Sequence, residues 1–162
     1  VRWASASDAP AILRMIRELA EFEHALDEVM VGIEQLRADF QAGRFECVLL
    51  EQSEGCGDCA GFALFFHVYS TWEGCSLYLE DLYVSPLARG KGAGSTLLRA
   101  VAAVAHERRC ARLQWQALDW NTKAIEFYKS PAVGARERIG EDGTMWVNFI
   151  MNRQEISRLA RS

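Results

Sequence analysis

The chain has 162 residues, half of them hydrophobic, and carries a formal net charge of −4. This size and composition predict one domain around a single hydrophobic core, spanning residues 1–162. The acidic net charge argues against nucleic-acid binding, because phosphate neutralisation requires a basic surface. No apolar run approaches about 20 residues, so the sequence predicts no membrane span.

The beginning of the chain predicts a short strand followed by an amphipathic helix. Residues 1–4 form the expected strand. Ser7 and Asp8 are candidate N-caps, and Pro10 suits a first helical turn. The helix then runs to about Phe22 on an apolar stripe at helical spacing, formed by Ile12, Met15, Ile16, Leu19 and Ala20.

The next segment predicts a second helix and a pair of strands. The helix is expected over residues 33–41, with Gly43 as its stop. Residues 47–51 and 60–69 are apolar and rich in β-favouring side chains, and a glycine-containing turn separates them. We therefore expect these two strands to form an antiparallel hairpin.

A strand, a glycine-rich loop and a helix follow in direct succession. Residues 78–84 favour a strand, and Pro86 ends it because proline has no N–H for a ladder. The loop spans residues 89–94 and reads Arg-Gly-Lys-Gly-Ala-Gly. Apolar residues then recur at helical spacing at Leu97, Leu98, Val101, Val104 and Ala105.

The last part of the chain alternates again between strand and helix. Residues 112–116 alternate polar and apolar side chains, as a half-buried strand does. Asn121 can cap a helix that runs to about Lys129. Residues 144–151 predict a final strand, and residues 154–159 predict a terminal helix. The whole pattern indicates an α/β or α+β fold in which a mixed sheet carries helices on both faces.

The glycine-rich loop is a candidate diphosphate site. At the start of a helix, unpaired backbone N–H groups and the positive end of the helix dipole point at one place. Glycine lets an anion approach the backbone closely, and Arg89 and Lys91 add positive charge. The alternative is a helix start that uses its glycines only for a tight turn.

The spacing of the loop separates it from two common nucleotide motifs. A Walker A loop requires Ser or Thr after Gly-Lys, but Gly92 follows Lys91. The loop also departs from the dinucleotide fingerprint, because it lacks the third glycine of that motif. What fits is Arg-x-x-Gly-x-Gly, at Arg89, Gly92 and Gly94, which resembles the pyrophosphate loop of the Gcn5-related N-acetyltransferase (GNAT) family.

This resemblance implies the GNAT fold, with a mixed and mostly antiparallel central sheet, and acetyl-CoA as co-substrate without a metal. It implies two cofactor-binding segments. They comprise Leu82, Tyr83, Val84, Arg89, Gly90, Lys91, Gly92, Ala93, Gly94 and Ser95, followed by Asn121, Thr122, Lys123 and Ala124. A nucleotide-binding module and a catalytically idle acyl-CoA-binding module are the alternative interpretations of the same loop.

Acetyl transfer from a thioester to an amine requires a base for the amine and an acid for the departing thiolate. Glu80 and Asp81 lie on the strand that leads into the loop, and successive strand residues point to opposite faces. A β-bulge, which the family's strand typically has here, would relax that limit and free an N–H for the thioester oxygen. We expect Glu80 to be the base or an acceptor anchor. The alternative is a pair of exposed or ion-paired carboxylates.

The helix after Asn121 holds the candidate acid. Asn121, Ala124 and Tyr128 share one helical face. This pattern resembles the second cofactor segment of the family, in which the tyrosine is the proposed proton donor to the thiolate. The alternative is that Tyr128 is a core aromatic whose hydroxyl reaches water.

A narrower resemblance is to the diamine acetyltransferases, the group that contains the spermidine/spermine and thialysine N-acetyltransferases. It is carried by residues 18–23, 70–74, 78–84 and 119–121. It implies an acceptor site lined by Phe22, Glu23, Glu80, Asp81, Gln114, Trp115, Gln116 and Asp142. Several carboxylates suit a cation with more than one amine. The chain departs from the group at residues 130–133, where the loop is two residues longer than usual.

The sequence therefore predicts an N-acetyltransferase that acts on a primary amine of a small polycationic or amino-acid-like acceptor. A protein N-terminal or lysine acetyltransferase is the alternative within the enzyme class. The resemblance also implies a homodimer.

The cysteines and histidines give weaker signals. Cys56 and Cys59 form a C-x-x-C in a glycine-rich turn, without the second ligand pair of a zinc site or the helix of a thioredoxin motif. We expect no metal, and reduced thiols in a cytoplasmic protein. His67 lies in a strand with aromatic neighbours and is expected to be a core residue rather than a base.

Overall fold

The structure is a computed structural model that describes residues 1–51, 59–139, 143–144 and 147–161. The chain divides into two compact units, Val1–Gln116 and Ala117–Ser162. Within the described ranges, no helix combines the length and the apolar character needed to cross a membrane.

A five-stranded sheet forms the framework of Val1–Gln116. Its strands are β1 (Arg2–Trp3), β2 (Glu46–Glu51), β3 (Cys59–Ser70), β4 (Gly74–Val84) and β5 (Leu113–Gln114). They lie in chain order across the sheet. The first three pairings are antiparallel, and β4 and β5 are parallel. The predicted hairpin of β2 and β3 and the mixed, mostly antiparallel sheet are thus confirmed.

Helices cover both faces of this sheet, as the sequence predicted. The helices are α1 (Ala9–Phe22), α2 (Ile33–Gln41) and α3 (Ala93–Glu107). Phe62 of β3 is fully buried in the core cluster that α1 and α2 share. Its neighbour Gly61 points to the other face, where a Cβ would lie 3.2 Å from the Leu97 side chain of α3. Because successive strand residues point to opposite faces, β3 contributes to the core on both sides of the sheet.

The start of α1 differs in detail from the predicted cap. Asp8 is the residue before the helix, but its carboxylate accepts hydrogen bonds from the Ser5 backbone N–H and from Arg2, at 2.7 and 2.8 Å. These bonds close a short 3₁₀ turn, Ala6–Asp8, that precedes α1. The hydrogen bond from Arg2 lowers the pKa of Asp8 to about 2.

The unit Ala117–Ser162 contains α4 (Thr122–Lys129) and α5 (Arg153–Leu159), both at the predicted places. The predicted strand at 144–151 is wrong for its described residues, 144 and 147–151, which carry no strand. A strand needs a ladder partner, and none pairs with this stretch among the described residues. Phe149 and Ile150 are instead 93% and 94% exposed.

Candidate active site

A β-bulge at Glu80 marks the centre of the site. Phe65 of β3 pairs with Leu79 and Leu64 pairs with Asp81, so Glu80 has no partner across the ladder. This confirms the bulge that the family resemblance implied. The bulge lets Glu80 and Asp81 depart from strict alternation: Glu80 is exposed, and Asp81 is half-buried.

The outer edge of β4 is open beyond the bulge. Its only ladder pairs with β5 are Leu77 with Leu113 and Tyr78 with Gln114. From Leu79 onward, this edge pairs with no strand of the described residues. Backbone groups beside Glu80 are therefore available to a ligand, as expected for a strand that binds a thioester oxygen.

Three carboxylates from two elements form an acidic cluster, defined here as Glu23, Glu80 and Asp81. Burial, then the charges of Glu80 and Glu23, raise the pKa of Asp81 from 3.8 to about 7. Burial also raises the pKa of Glu23, which caps the end of α1. Because like charges disfavour ionisation of their neighbours, the cluster has a strong electrostatic preference for a cation.

The glycine-rich loop has the backbone that a diphosphate cradle requires. Gly90 and Gly92 have φ of 75° and 80°, where a side chain would be strained. A Cβ at either position would meet nothing within 4 Å, so the space beside the loop is open. The first backbone bond into α3 runs from the Thr96 N–H to the Gly92 carbonyl, at 3.0 Å. The N–H groups of residues 93–95 therefore have no carbonyl in the preceding turn to bond to. They are directed outward and fit an anionic group.

Arg89 connects this loop to α1. Its Nε donates to the Val84 carbonyl at 2.9 Å. Its guanidinium lies over the rings of Phe22 and Tyr83, with centroids 5.5 and 5.9 Å away. Phe22, expected in the acceptor site, thus also supports the arginine of the loop. Lys91 donates to the Leu87 carbonyl at 3.3 Å.

A cleft of about 630 Å³ lies beside Arg89, between α1 and the segment that follows β4. Glu18 and Phe22 line it from α1, and Tyr83 and Leu87 line it from the other side. The Tyr83 hydroxyl donates to Glu18 at 2.8 Å. Burial, followed by this hydrogen bond, raises the pKa of Tyr83 to about 12. Sequence reasoning missed Glu18, whose only local signal is its helical spacing from Arg14, with which it pairs at 2.6 Å.

The second cofactor segment forms the predicted helix in its own unit. The Asn121 side chain accepts a hydrogen bond from the Ala124 N–H at 3.3 Å, which confirms the predicted N-cap. Tyr128 is half-buried one turn beyond Ala124, and its ring lies 5.3 Å from that of Phe127. Thr122 and Lys123 are exposed in the first turn. The shared face of Asn121, Ala124 and Tyr128 thus exists.

The other predicted acceptor residues have mixed outcomes. Gln114 lies in β5 beside Tyr78, two residues before the bulge. The strand predicted at 112–116 is shorter than expected, because Trp115 and Gln116 lie beyond its end. Asp142 lies outside the described residues.

Comparison with known proteins identifies the family. The Acetyltransferase (GNAT) family matches residues 13–130. The chain is 40% identical to thialysine N-epsilon-acetyltransferase of Sus scrofa, over 99% of this chain and 96% of that protein. It is 34% identical to spermidine/spermine N(1)-acetyltransferase-like protein 1 of Homo sapiens, over 99% of this chain but 23% of that protein.

Solved structures share the fold. An integron cassette protein of V. cholerae aligns with a TM-score of 0.71 at 23% identity, covering 99% of this chain and 96% of that one. An aminoglycoside acetyltransferase from an uncultured soil metagenomic sample aligns with a TM-score of 0.72 at 18% identity, covering 92% and 95%.

The bulged strand, the glycine-rich loop and these matches define the class of protein: the chain belongs to the acetyltransferase (GNAT) family. Within that family it is an N-acetyltransferase.

Proposed function

We propose that this chain transfers the acetyl group of acetyl-CoA to a primary amine of a small acceptor with more than one positive charge. The observation that carries the proposal is the acidic cluster at the bulge, where burial, followed by the charges of Glu80 and Glu23, raises the pKa of Asp81 to about 7. A single ammonium would not balance three carboxylates, whereas a diamine or a thialysine-like amino acid brings a second amine. The relatives named for thialysine support the amino-acid-like end of this range.

Acetyl-CoA supplies an acetyl group activated as a thioester. The N–H groups of Ala93, Gly94 and Ser95 fit its diphosphate, Gly90 and Gly92 keep the approach open, and Lys91 adds positive charge. Arg89 adds charge at the same loop. We propose that Leu82, Tyr83 and Val84, at the open edge of β4, and Asn121, Thr122, Lys123 and Ala124, at the start of α4, complete the cofactor site.

The acidic cluster also provides for proton transfer. An alkylammonium has a pKa of about 10 and must lose a proton before its nitrogen can attack. We propose Glu80, exposed on the bulge, as base or acceptor anchor. Asp81, whose pKa of about 7 suits a group that gains and loses protons near neutrality, shares this role. Tyr128 is the proposed acid for the departing thiolate.

We propose that the remaining acceptor contacts come from Phe22, Glu23, Gln114, Trp115, Gln116 and Asp142, within one catalytic domain of residues 1–162. A homodimer is proposed as well, and the exposure of Phe149 and Ile150 supports an apolar contact there. Residence in the cytoplasm agrees with the unpaired thiols of Cys47 and Cys59.

The test is an acceptor screen with acetyl-CoA, read as thiol release. The panel contains thialysine, lysine, spermidine, short diamines and a peptide with a free N-terminus. We expect the small dicationic acceptors to give the highest kcat/KM. Acetylation confined to the peptide would refute the proposed acceptor class and favour the protein acetyltransferase alternative, which the named relatives do not favour.

The acidic cluster is tested in the same screen with Glu80→Gln. This variant should lower kcat/KM for diamines at least tenfold and for monoamines much less, because one of the cluster's charges is lost. Glu107→Gln, an exposed carboxylate at the end of α3, is the matched control. An unchanged acceptor profile for Glu80→Gln would remove Glu80 from the site.

The cofactor loop is tested by a pair of glycine variants. Gly92 and Gly43 both have positive φ, 80° and 68°, and a Cβ at either would meet nothing within 4 Å. Their alanine variants therefore carry the same backbone strain. Only Gly92→Ala should reduce the thermal shift given by CoA, and ATP should give little shift with any variant. Equal losses at both positions would count against the loop as the cradle.

A further inference from the structure

A cluster of two thiols and an imidazole lies outside the acyl-transfer site. His67 of β3, Cys75 of β4 and Cys110, in the turn after α3, place their ligand atoms within 4.8 Å of one another. Cys75 Sγ lies 3.8 Å from Cys110 Sγ and 3.5 Å from His67 Nδ1. The backbone fixes this proximity, because the Ala111 N–H donates to the Cys75 carbonyl at 2.8 Å.

Arg108 determines which ring nitrogen of His67 carries the proton. Its guanidinium donates to His67 Nε2 at 2.8 Å, and it is held by two hydrogen bonds to the Glu46 carboxylate. A guanidinium has no acceptor, so Nε2 must supply a lone pair. In the neutral ring the proton then resides on Nδ1 and faces Cys75 Sγ. The nitrogen nearest the sulfurs is a donor, which suits thiol chemistry better than metal coordination.

Accessibility separates these two thiols from the other described cysteines. Cys75 is exposed and Cys110 is half-buried, whereas Cys47 and Cys59 are buried in the core. Burial raises the pKa of the Cys59 thiol and also that of Cys110, so accessibility rather than pKa distinguishes the pair. A dissolved oxidant therefore meets Cys75 first, with Cys110 as the neighbouring thiol.

We propose that Cys75 and Cys110 form a redox-responsive dithiol site whose co-substrate is a low-molecular-weight disulfide such as glutathione disulfide. The Cys75 sulfur attacks the disulfide, forms a mixed disulfide and releases one thiol. The Cys110 sulfur then attacks the Cys75 sulfur, and a second thiol leaves as the intrachain bond forms. Two protein thiols are thereby oxidised, and one small disulfide is reduced to two thiols.

The bond would join the start of β4 to the turn that precedes β5. These two strands share only two ladder pairs, which begin at Leu77 and Leu113. A covalent link between residues 35 apart would therefore fasten the parallel pair at its base, below the bulge. This site is independent of the proposed acyl transfer.

The test equilibrates the full chain in glutathione buffers of increasing oxidised fraction, alkylates the remaining thiols and digests the protein with trypsin and a glutamate-specific protease. Cleavage after Glu73 and Glu80 isolates Gly74–Glu80, which contains Cys75 alone, and cleavage after Arg109 and Arg112 isolates Cys110–Arg112. We expect these two peptides to become linked. The oxidised chain should melt about 5–10 °C higher than the reduced chain.

Two variants and a metal titration complete the experiment. Cys75→Ser should abolish the link and the rise in melting temperature, whereas Cys56→Ser should leave both intact. Wild-type protein that accumulates only a mixed disulfide at Cys75, with no linked peptide in any buffer, would overturn the proposal. So would one equivalent of Zn²⁺ that protects both thiols from alkylation, since the cluster would then be a metal site. Failure of acyl transfer would leave the linked peptide unaffected.

Discussion

Asp81→Asn tests how far the ionised Asp81 carboxylate destabilises the folded chain. The pKa of Asp81 is raised from 3.8 to about 7, first by burial and then by Glu80 and Glu23. A pKa difference of about 3 units between the folded and the unfolded chain corresponds to at most about 4 kcal/mol of destabilisation when the carboxyl is ionised. Since Asp81 is only half-buried, solvent screening reduces this to about 2 kcal/mol.

The sign of the effect follows from proton linkage. The folded chain binds the Asp81 proton more tightly than the unfolded chain, so stability falls as pH rises from about 4 to about 7 and then levels off. Asparagine cannot ionise. Asp81→Asn should therefore melt about 4–8 °C above wild type at pH 8, and the two should converge near pH 4.

The assay is thermal unfolding of both proteins across pH, with Asp27→Asn as an exposed control expected to change little. A variant that is less stable than wild type at pH 8 would refute the reasoning, because Asp81 would then be a partner in a stabilising interaction. The same variant should lose the part of the kcat/KM pH profile that rises through about pH 7. A profile identical to that of wild type would show that Asp81 takes no part in proton transfer.

Three further predictions concern other parts of the chain. Tyr128→Phe should lower kcat about 100-fold with little change in acetyl-CoA affinity, measured against Tyr69→Phe as the exposed control; equal turnover would remove its acid role. Gly61→Ala would put a Cβ 2.6 Å from a backbone oxygen of β4 and should destabilise the fold by about 2 kcal/mol in urea unfolding. Gly32→Ala, in open space but at the N-cap of α2, should cost clearly less. Asp8→Asn should cost about 1 kcal/mol at pH 7, and the difference should vanish as pH falls from about 4 towards 2, since the pKa of Asp8 is held near 2 in the folded chain. A constant difference across pH would exclude the ion pair as its cause.

The segments best predicted from sequence are those with local signals. Pro86 and the glycines of the loop determine their own backbone, and the apolar spacing after Leu97 determines α3, so this stretch has its expected form. Gly90 and Gly92 adopt a positive φ without the strain that a side chain would bring. The bulge at Glu80 has no such local signal. Its prediction rests on the family resemblance, because no residue in the strand predicts it by itself.

Features that depend on tertiary contacts were missed or misjudged. The predicted strand at 112–116 ends at Gln114, because its length depends on how far β4 stays alongside it. The sequence places His67 in the core, but it lies on a part of β3 where the residues alternate between half-buried and exposed, and it is exposed. Its neighbours Cys75 and Cys110 are single cysteines 35 residues apart, so no spacing motif could join them.

The end of α1 couples the two halves of the site. Phe22 packs beneath the Arg89 guanidinium, which belongs to the anion loop, and the next residue, Glu23, contributes to the raised pKa of Asp81. Two consecutive residues thus act on the cation of the anion loop and on a carboxyl of the proposed acceptor site, the first by ring contact and the second through its charge. On the proposed assignment, an anionic cofactor would draw on Arg89 and a cationic acceptor would neutralise Glu23, so binding of either one would alter the electrostatic environment of the same helix end. We therefore expect the affinities of the two proposed substrates to be coupled through a helix that contains neither the proposed base nor the proposed acid.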